Sequence, residues 1–107
     1  MSEEFQSKLN EAVKLLIEAC HPERIIQFGS YARGTETEDS DLDLMVIENR
    51  VQDRAEEMVR LCRILSPLQL GVDLVVADSE TFKNWRECPG SVYYEAHTDG
   101  KSLYEAA

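Results

Sequence analysis

Apolar residues recur at spacings of three and four through Phe5, Leu9, Ala12, Val13, Leu16, Ile17 and Cys20, which predicts a helix with one buried face. The pattern ends before His21-Pro22, because the residue ahead of a proline is driven out of the helical region. Ser2 is placed to cap its start. Arg24 to Phe28 is a short run rich in β-branched and aromatic residues, broken at Gly29, and reads as a strand leading into a turn and one helical turn. Thr35 to Ser40 is polar and acidic. Leu42, Leu44 and Val46 then alternate with Asp41, Asp43 and Met45, predicting a second strand with two unlike faces. Ala55, Met58, Val59, Cys62 and Leu65 return to helical spacing, Pro67 closes that helix, and Val72 to Val76 forms a third strand carrying one acid, Asp73.

Beyond Asp78 the periodicity weakens. Ser79 to Arg86 reads as a short helix capped by Ser79, Pro89-Gly90 and Asp99-Gly100 as turns, and Ser91 to His97 as a last helix. A tail with Leu103 and Tyr104 follows, expected to dock on the core. This order of elements predicts an α/β (α+β) domain, a small sheet with helices packed against it. Strand order is not legible at this stage.

At 107 residues the whole chain, 1–107, is expected to be a single domain, with room for one modest core and an open cleft rather than a large enclosed cavity. Eleven basic against 21 acidic side chains leave a net charge of -10, which argues against binding duplex DNA through its phosphates. The same acidity does not exclude nucleotides, because carboxylates holding a divalent cation attract a triphosphate through the metal. The opening Met1-Ser2-Glu3-Glu4-Phe5 lacks the basic and apolar runs of a secretory signal, and no stretch approaches a membrane span, so a cytoplasmic protein is expected. Cys20, Cys62 and Cys88 are odd in number and widely spaced, which favours reduced thiols over a disulfide framework or zinc knuckle.

The chemistry is concentrated in a few acids. Asp41 and Asp43 are two apart on a strand, so both carboxylates lie on one side, only ~7 Å apart along the backbone. Two like charges ~4 Å apart at an effective dielectric near 20 cost about 4 kcal/mol, so such a pair calls for a counter-ion or a proton. Alone, the pair reads better as two solvent-facing acids on an edge strand. Asp73 changes the balance, because an acid inside an apolar strand needs something positive or wet to face. If its strand lies beside that of Asp41 and Asp43, three carboxylates converge. Oxygen-only ligands suit Mg²⁺ or Mn²⁺, and Mg²⁺ commonly shares its coordination with substrate phosphates. Phosphate transfer follows as the natural chemistry.

A second feature is Phe28-Gly29-Ser30-Tyr31-Ala32-Arg33-Gly34. Gly29 allows a phosphate close to the backbone, and Ser30 can offer its hydroxyl, so the turn is a candidate triphosphate cradle; a lone Gly-Ser is more often a plain strand-to-helix turn with Ser30 as N-cap. Arg33 can reach a phosphate or pair with Glu36, Glu38 or Asp39. His21, His97 and Ser40 receive no catalytic role, and Trp85, Tyr93 and Tyr94 are expected to pack against the core.

Gly29-Ser30, ten intervening residues, then Asp41-Leu42-Asp43, with Asp73 on a later strand, resembles the nucleotidyltransferase superfamily typified by DNA polymerase β. More narrowly, the run from Phe28 to Gly34 followed by Ser40-Asp41-Leu42-Asp43-Leu44 is similar to the small minimal nucleotidyltransferases that are often paired with a helical HEPN protein as antitoxin and toxin. The resemblance is strong from Ile25 to about Val76. Tyr93-Tyr94-Glu95-Ala96 and Gly100-Lys101-Ser102-Leu103-Tyr104 resemble the end of such proteins more softly.

The resemblance implies the polymerase β-like fold with a small mixed sheet. It also implies nucleotide binding by Gly29 and Ser30, and two metal ions, Mg²⁺ or Mn²⁺, on Asp41, Asp43 and Asp73. The implied reaction is transfer of AMP from ATP to a hydroxyl of the HEPN partner, with release of pyrophosphate and with Asp73 helping to deprotonate the acceptor. No separate domain for a primer or tRNA is visible, so another molecule must present the acceptor. A homo-oligomer is compatible with this reading.

Rival Asp-x-Asp chemistries fare worse. Haloacid-dehalogenase-like phosphatases carry their acids after an apolar strand, whereas Leu44 to Ile47 follow the acids here, and a glycosyltransferase of that type would need a longer chain. The alternative from a different class is a non-catalytic interaction protein that neutralises a partner by binding and keeps a vestigial nucleotide site.

Overall fold

The computed structural model describes residues 3–37 and 40–107. Ser2, Glu38 and Asp39, to which a cap and two ion-pair partners were assigned above, lie outside the described residues.

The first helix, α1 (Glu3–Cys20), buries Leu9, Ala12 and Leu16 and ends where His21 takes a left-handed φ of 46°. Strand β1 (Arg24–Phe28) leads directly into the short α2 (Gly29–Arg33), which Gly34 terminates at φ 74°. Strand β2 (Leu42–Glu48) precedes α3 (Arg54–Leu65), where the Glu56 N–H donates to the capping Asp53 at 3.1 Å. A single 3₁₀ turn at Ser66–Leu68, containing Pro67, closes α3 and leads to β3 (Val72–Asp78). Helices α4 (Ser79–Trp85) and α5 (Val92–Asp99) follow, and the chain ends in β4 (Lys101–Glu105).

The four strands form one mixed sheet in the order β3-β2-β1-β4. β2 and β3 run parallel, joined through α3, while β1 is antiparallel to both β2 and β4. Helices cover both faces. On one, Leu9, Ala12 and Leu16 of α1 and Leu61 and Leu65 of α3 pack on Leu42, Leu44, Val46, Leu74 and Val76. On the other, Phe82 of α4 and Ala96 of α5 pack on Ile26, Phe28, Met45 and Ile47. β2 is therefore central and buried on both faces. The polar face read from its sequence is confined to its N-terminal end, because Met45 and Ile47, on the side of Asp43, are buried.

Three further expectations are corrected. The tail around Leu103 and Tyr104 is not merely docked: it is an edge strand that extends the sheet. The cap of α4 is Asp78, whose carboxylate accepts the Thr81 N–H at 2.7 Å, and Ser79 is the first helical residue. Trp85 lies half in solvent instead of in the core, at 50% exposure. Among the described helices, none is long and apolar enough to cross a membrane.

Candidate active site

The parallel register of β2 and β3 sets Asp43 directly opposite Asp73, and the antiparallel register of β1 and β2 sets Phe28 against Asp43 from the other side. Residues paired across a ladder point to the same face, so the Asp43 and Asp73 carboxylates share one side of the sheet. Asp41, two residues ahead, joins that side at the strand entrance. It is anchored where Leu42 donates its N–H to the Gly71 carbonyl at 2.8 Å, and its Oδ1 lies so close to Gly71 that a Cβ there would stand only 3.0 Å away. Asp41 and Asp73 are exposed and Asp43 is half-buried, so the acids open to solvent at one end of the sheet.

Gly29 closes the site from β1. Its φ of 74° is left-handed, and a Cβ at that position would fall onto the Asp43 Oδ2. The turn can therefore be built only with glycine, for backbone conformation and for space alike. The N-cap of α2 is Phe28, which has no side-chain oxygen, and no side chain caps the first turn. Ser30 is consequently not the N-cap that a plain strand-to-helix turn would make it; it is the second residue of α2, directly after the Gly29 that abuts Asp43.

The electrostatics follow from this packing. The Asp43 carboxyl is pushed above its ordinary range, first by burial and then by the charges of Asp73, Glu95 and Asp41, with Arg33 acting in the opposite direction. Arg33 does not pair with Glu36. Its Nη1 donates to Glu95 Oε1 of α5 at 2.9 Å, a partner 62 residues away. Glu95 was not among the residues assigned a role from sequence, because no spacing relates α5 to the acids until the fold brings α2 and α5 together. An open cavity of about 460 Å³ adjoins this pair, lined by Arg33, Ser91, Tyr94, Glu95 and Asp99 among others.

The residues fit a divalent cation in chemistry. The donors are all carboxylate oxygens, they load negative charge onto a half-buried Asp43, and the single cation acting on it, among the described residues, is Arg33, already engaged with Glu95. A hard cation relieves that load.

A different cluster occupies the opposite end of β2, where the donor atoms of Cys20, Glu48 and Glu57 lie within 4.8 Å of one another. Arg60 pairs with Glu57 there, while the buried Glu48 Oε2 has no hydrogen-bond partner among the described residues. Arg60 forks onto Glu57 at 2.7 and 3.0 Å, and the Cys20 thiol donates to the Leu16 carbonyl at 3.2 Å. Burial pushes the thiol up to about 12, and burial with a hydrogen bond to Glu57 pushes Glu48 up to about 8, so both hold their protons. Cys20, Cys62 and Cys88 are free cysteines.

Comparison with known proteins shows the family. Residues 6–95 match the family described as nucleotidyltransferase domain. Putative protein adenylyltransferase MJ1379 of Methanocaldococcus jannaschii is 36% identical over 78 residues, covering 71% of this chain and 78% of that protein. Among solved structures, a chain of a toxin-antitoxin assembly with AMP-PNP is 29% identical with a TM-score of 0.61, over 91% of this chain and 73% of that one. A chain from the tri-AMPylated Shewanella oneidensis HEPN toxin in complex with MNT antitoxin is 26% identical with a TM-score of 0.56, over 95% of this chain and 73% of that one.

Proposed function

The chain belongs to the nucleotidyltransferase domain family, and from that membership we propose that it transfers AMP from ATP to a hydroxyl group of a helical HEPN-type partner, silencing that partner as an antitoxin. The observation that carries this reading is the pairing of Asp43 with Asp73 beside the Gly29 turn. Asp41, Asp43 and Asp73 would hold Mg²⁺ or Mn²⁺, two ions in all. The bound metal supplies Lewis-acid stabilisation of the charge that develops on phosphate oxygens.

The chain's own residues do the rest. Gly29 lets the backbone turn close against Asp43, and Ser30 with the N–H groups of the first turn of α2 binds a phosphate. Arg33 offers further guanidinium donors to the phosphates. The acceptor oxygen attacks the α-phosphorus, a new P–O bond forms, and the bond to pyrophosphate breaks in line. Asp73, an exposed acid, takes the acceptor proton. We place the reaction in the cytoplasm, where ATP is at hand and free thiols stay reduced.

The direct test is incubation of the full chain with Mg²⁺, ATP and the neighbouring-gene product, followed by intact mass. An AMP-sized increment on the partner is expected. No increment on a folded partner overturns the proposal.

A second reading, neutralisation by binding alone, is favoured by one surface. Ala55, Met58, Val59 and Cys62 line an open apolar groove along α3, and Val59 is 49% exposed. If the chain with both Asp41→Asn and Asp43→Asn still neutralises the partner, this reading replaces the first.

A further inference from the structure

Glu95 stands where an acid is electrostatically unwelcome. It lines an open cavity together with Arg33 and Asp99, in a chain of net charge -10, so it adds to a surface already rich in carboxylates. An acid in such a position raises the energy of the site unless it serves a group within it. The group it serves is Arg33. That side chain leaves the last turn of a five-residue helix, is exposed, and is followed at once by Gly34 in a left-handed conformation, so α2 itself does little to fix it. A free arginine side chain loses rotamer entropy on being held in one place. The ion pair to α5 at 2.9 Å holds it beforehand.

The contact also leaves donors over. Arginine has five N–H groups in a planar fork, and the contact with Glu95 is made through Nη1 alone. Arg33 follows Ser30 by three residues on α2, on the same side of that helix, so the unused donors stand one turn from the proposed phosphate cradle. Exposed ion pairs contribute little to stability, and this one, with side chains 44% and 39% exposed, is poorly explained as a device to hold α5 in place.

We propose that Glu95 is a positioning residue for nucleotide binding: it fixes Arg33 through one nitrogen, so that the remaining guanidinium donors meet the phosphates of an incoming nucleoside triphosphate. The inference rests on the nucleotide reading of the Gly29–Ser30 turn. Glu95 contacts neither the reacting phosphorus nor the acceptor; it acts through Arg33.

The test is a double-mutant cycle on the full chain, with Mg-ATP as the probe, reading Kd by calorimetry and KM and kcat in the AMP-transfer assay. Arg33→Ala is expected to weaken Mg-ATP by about tenfold or more, the loss of a charge-assisted contact. Glu95→Ala is expected to weaken it by about threefold to tenfold, appearing in KM while kcat stays within about twofold. In the Arg33→Ala background, Glu95→Ala is expected to have no further effect. Glu95→Gln, which keeps an acceptor oxygen for Nη1, is expected to recover most of the affinity.

Equal effects of Glu95→Ala in both backgrounds overturn the proposal, as does a loss confined to kcat. Tighter Mg-ATP binding by Glu95→Ala also overturns it, since Glu95 would then compete with phosphate for Arg33. If the unmutated chain binds no Mg-ATP, the nucleotide reading itself fails and takes this inference with it; if it binds and the cycle shows no coupling, only the inference fails.

Discussion

Asp43 and Asp73 face each other across the parallel ladder of β2 and β3, two carboxylates on adjacent strands, one central and one at the sheet edge, with Asp41 at the entrance. Like charges so arranged are stable only with a proton or a cation among them. This makes Asp43→Asn the most informative single change. It leaves size and packing almost intact while removing one charge, so the fold should survive and AMP transfer should fall by at least about 100-fold, the scale of losing a charge-stabilising group. Radiolabelled ATP with the partner protein measures it. Retention of near-normal transfer would remove Asp43 from the chemistry.

Metal linkage gives a second prediction that needs no partner. A cation that binds only the folded chain stabilises it by about 2.7 kcal/mol at a hundred times its Kd. Mg²⁺ is therefore expected to raise the melting temperature of the unmutated chain, and to do so less for Asp43→Asn. A thermal melt with and without millimolar Mg²⁺ decides it, and equal responses of the two proteins would mean that the ion binds elsewhere.

Gly29 offers a third, because it combines two constraints that other positions separate. Gly34 and Gly90 have comparable positive φ values, 74° and 90°, but nothing within 4 Å of a Cβ. Alanine at either should carry only the backbone cost, about 1 kcal/mol. Gly29→Ala must also displace the Asp43 carboxylate, so it should destabilise the chain by more than either control and reduce Mg-ATP affinity as well. Chemical denaturation of the three variants makes the comparison. A Gly29→Ala protein as stable as Gly34→Ala would mean that Asp43 moves aside freely.

Helices α1 and α3 and the first three strands are legible in the sequence because each has a strong pattern: threes and fours in α1 and α3, an apolar run in β1 and β3, alternation in β2. β4 is not, for a physical reason. It is an edge strand of five residues, Lys101 to Glu105, with only Leu103 and Tyr104 partly buried, so most of its stabilisation is the ladder to β1, which leaves no hydrophobic pattern. Asp78 and Ser79 are adjacent and both able to cap α4, and only the extended backbone of Asp78 decides between them. Spacing alone puts Asp41 and Asp43 on one side; that Asp73 faces Asp43 depends on strand order and register, which no local pattern encodes. The Arg33–Glu95 pair is less accessible still, since it joins residues that meet only after α5 folds back onto α2.

The last prediction concerns pH, at the end of β2 away from the acids. Glu48 is 8% exposed and its carboxyl is pushed from 4.5 up to about 8, by burial, by its hydrogen bond to Glu57 and by the Glu57 charge, with Arg60 opposing. Glu57 is held down instead, chiefly by Arg60. Between roughly pH 4.5 and pH 8, Glu48 is therefore protonated in the folded chain and ionised in the unfolded one. Folding binds a proton in that window, so its contribution to stability declines as pH rises and levels off above about 8, where both states are ionised. Glu48→Gln keeps a donor for Glu57 but cannot ionise, so its stability should fall less across the same window, and its advantage over the unmutated chain should grow with pH. For a domain of this size each kcal/mol corresponds to about 4–8 °C in melting temperature, well within reach of a calorimetric series from pH 5 to 9. Parallel curves for the two proteins would show that Glu48 ionises in the folded state as readily as in the unfolded one, and that the proton shared with Glu57 does not exist.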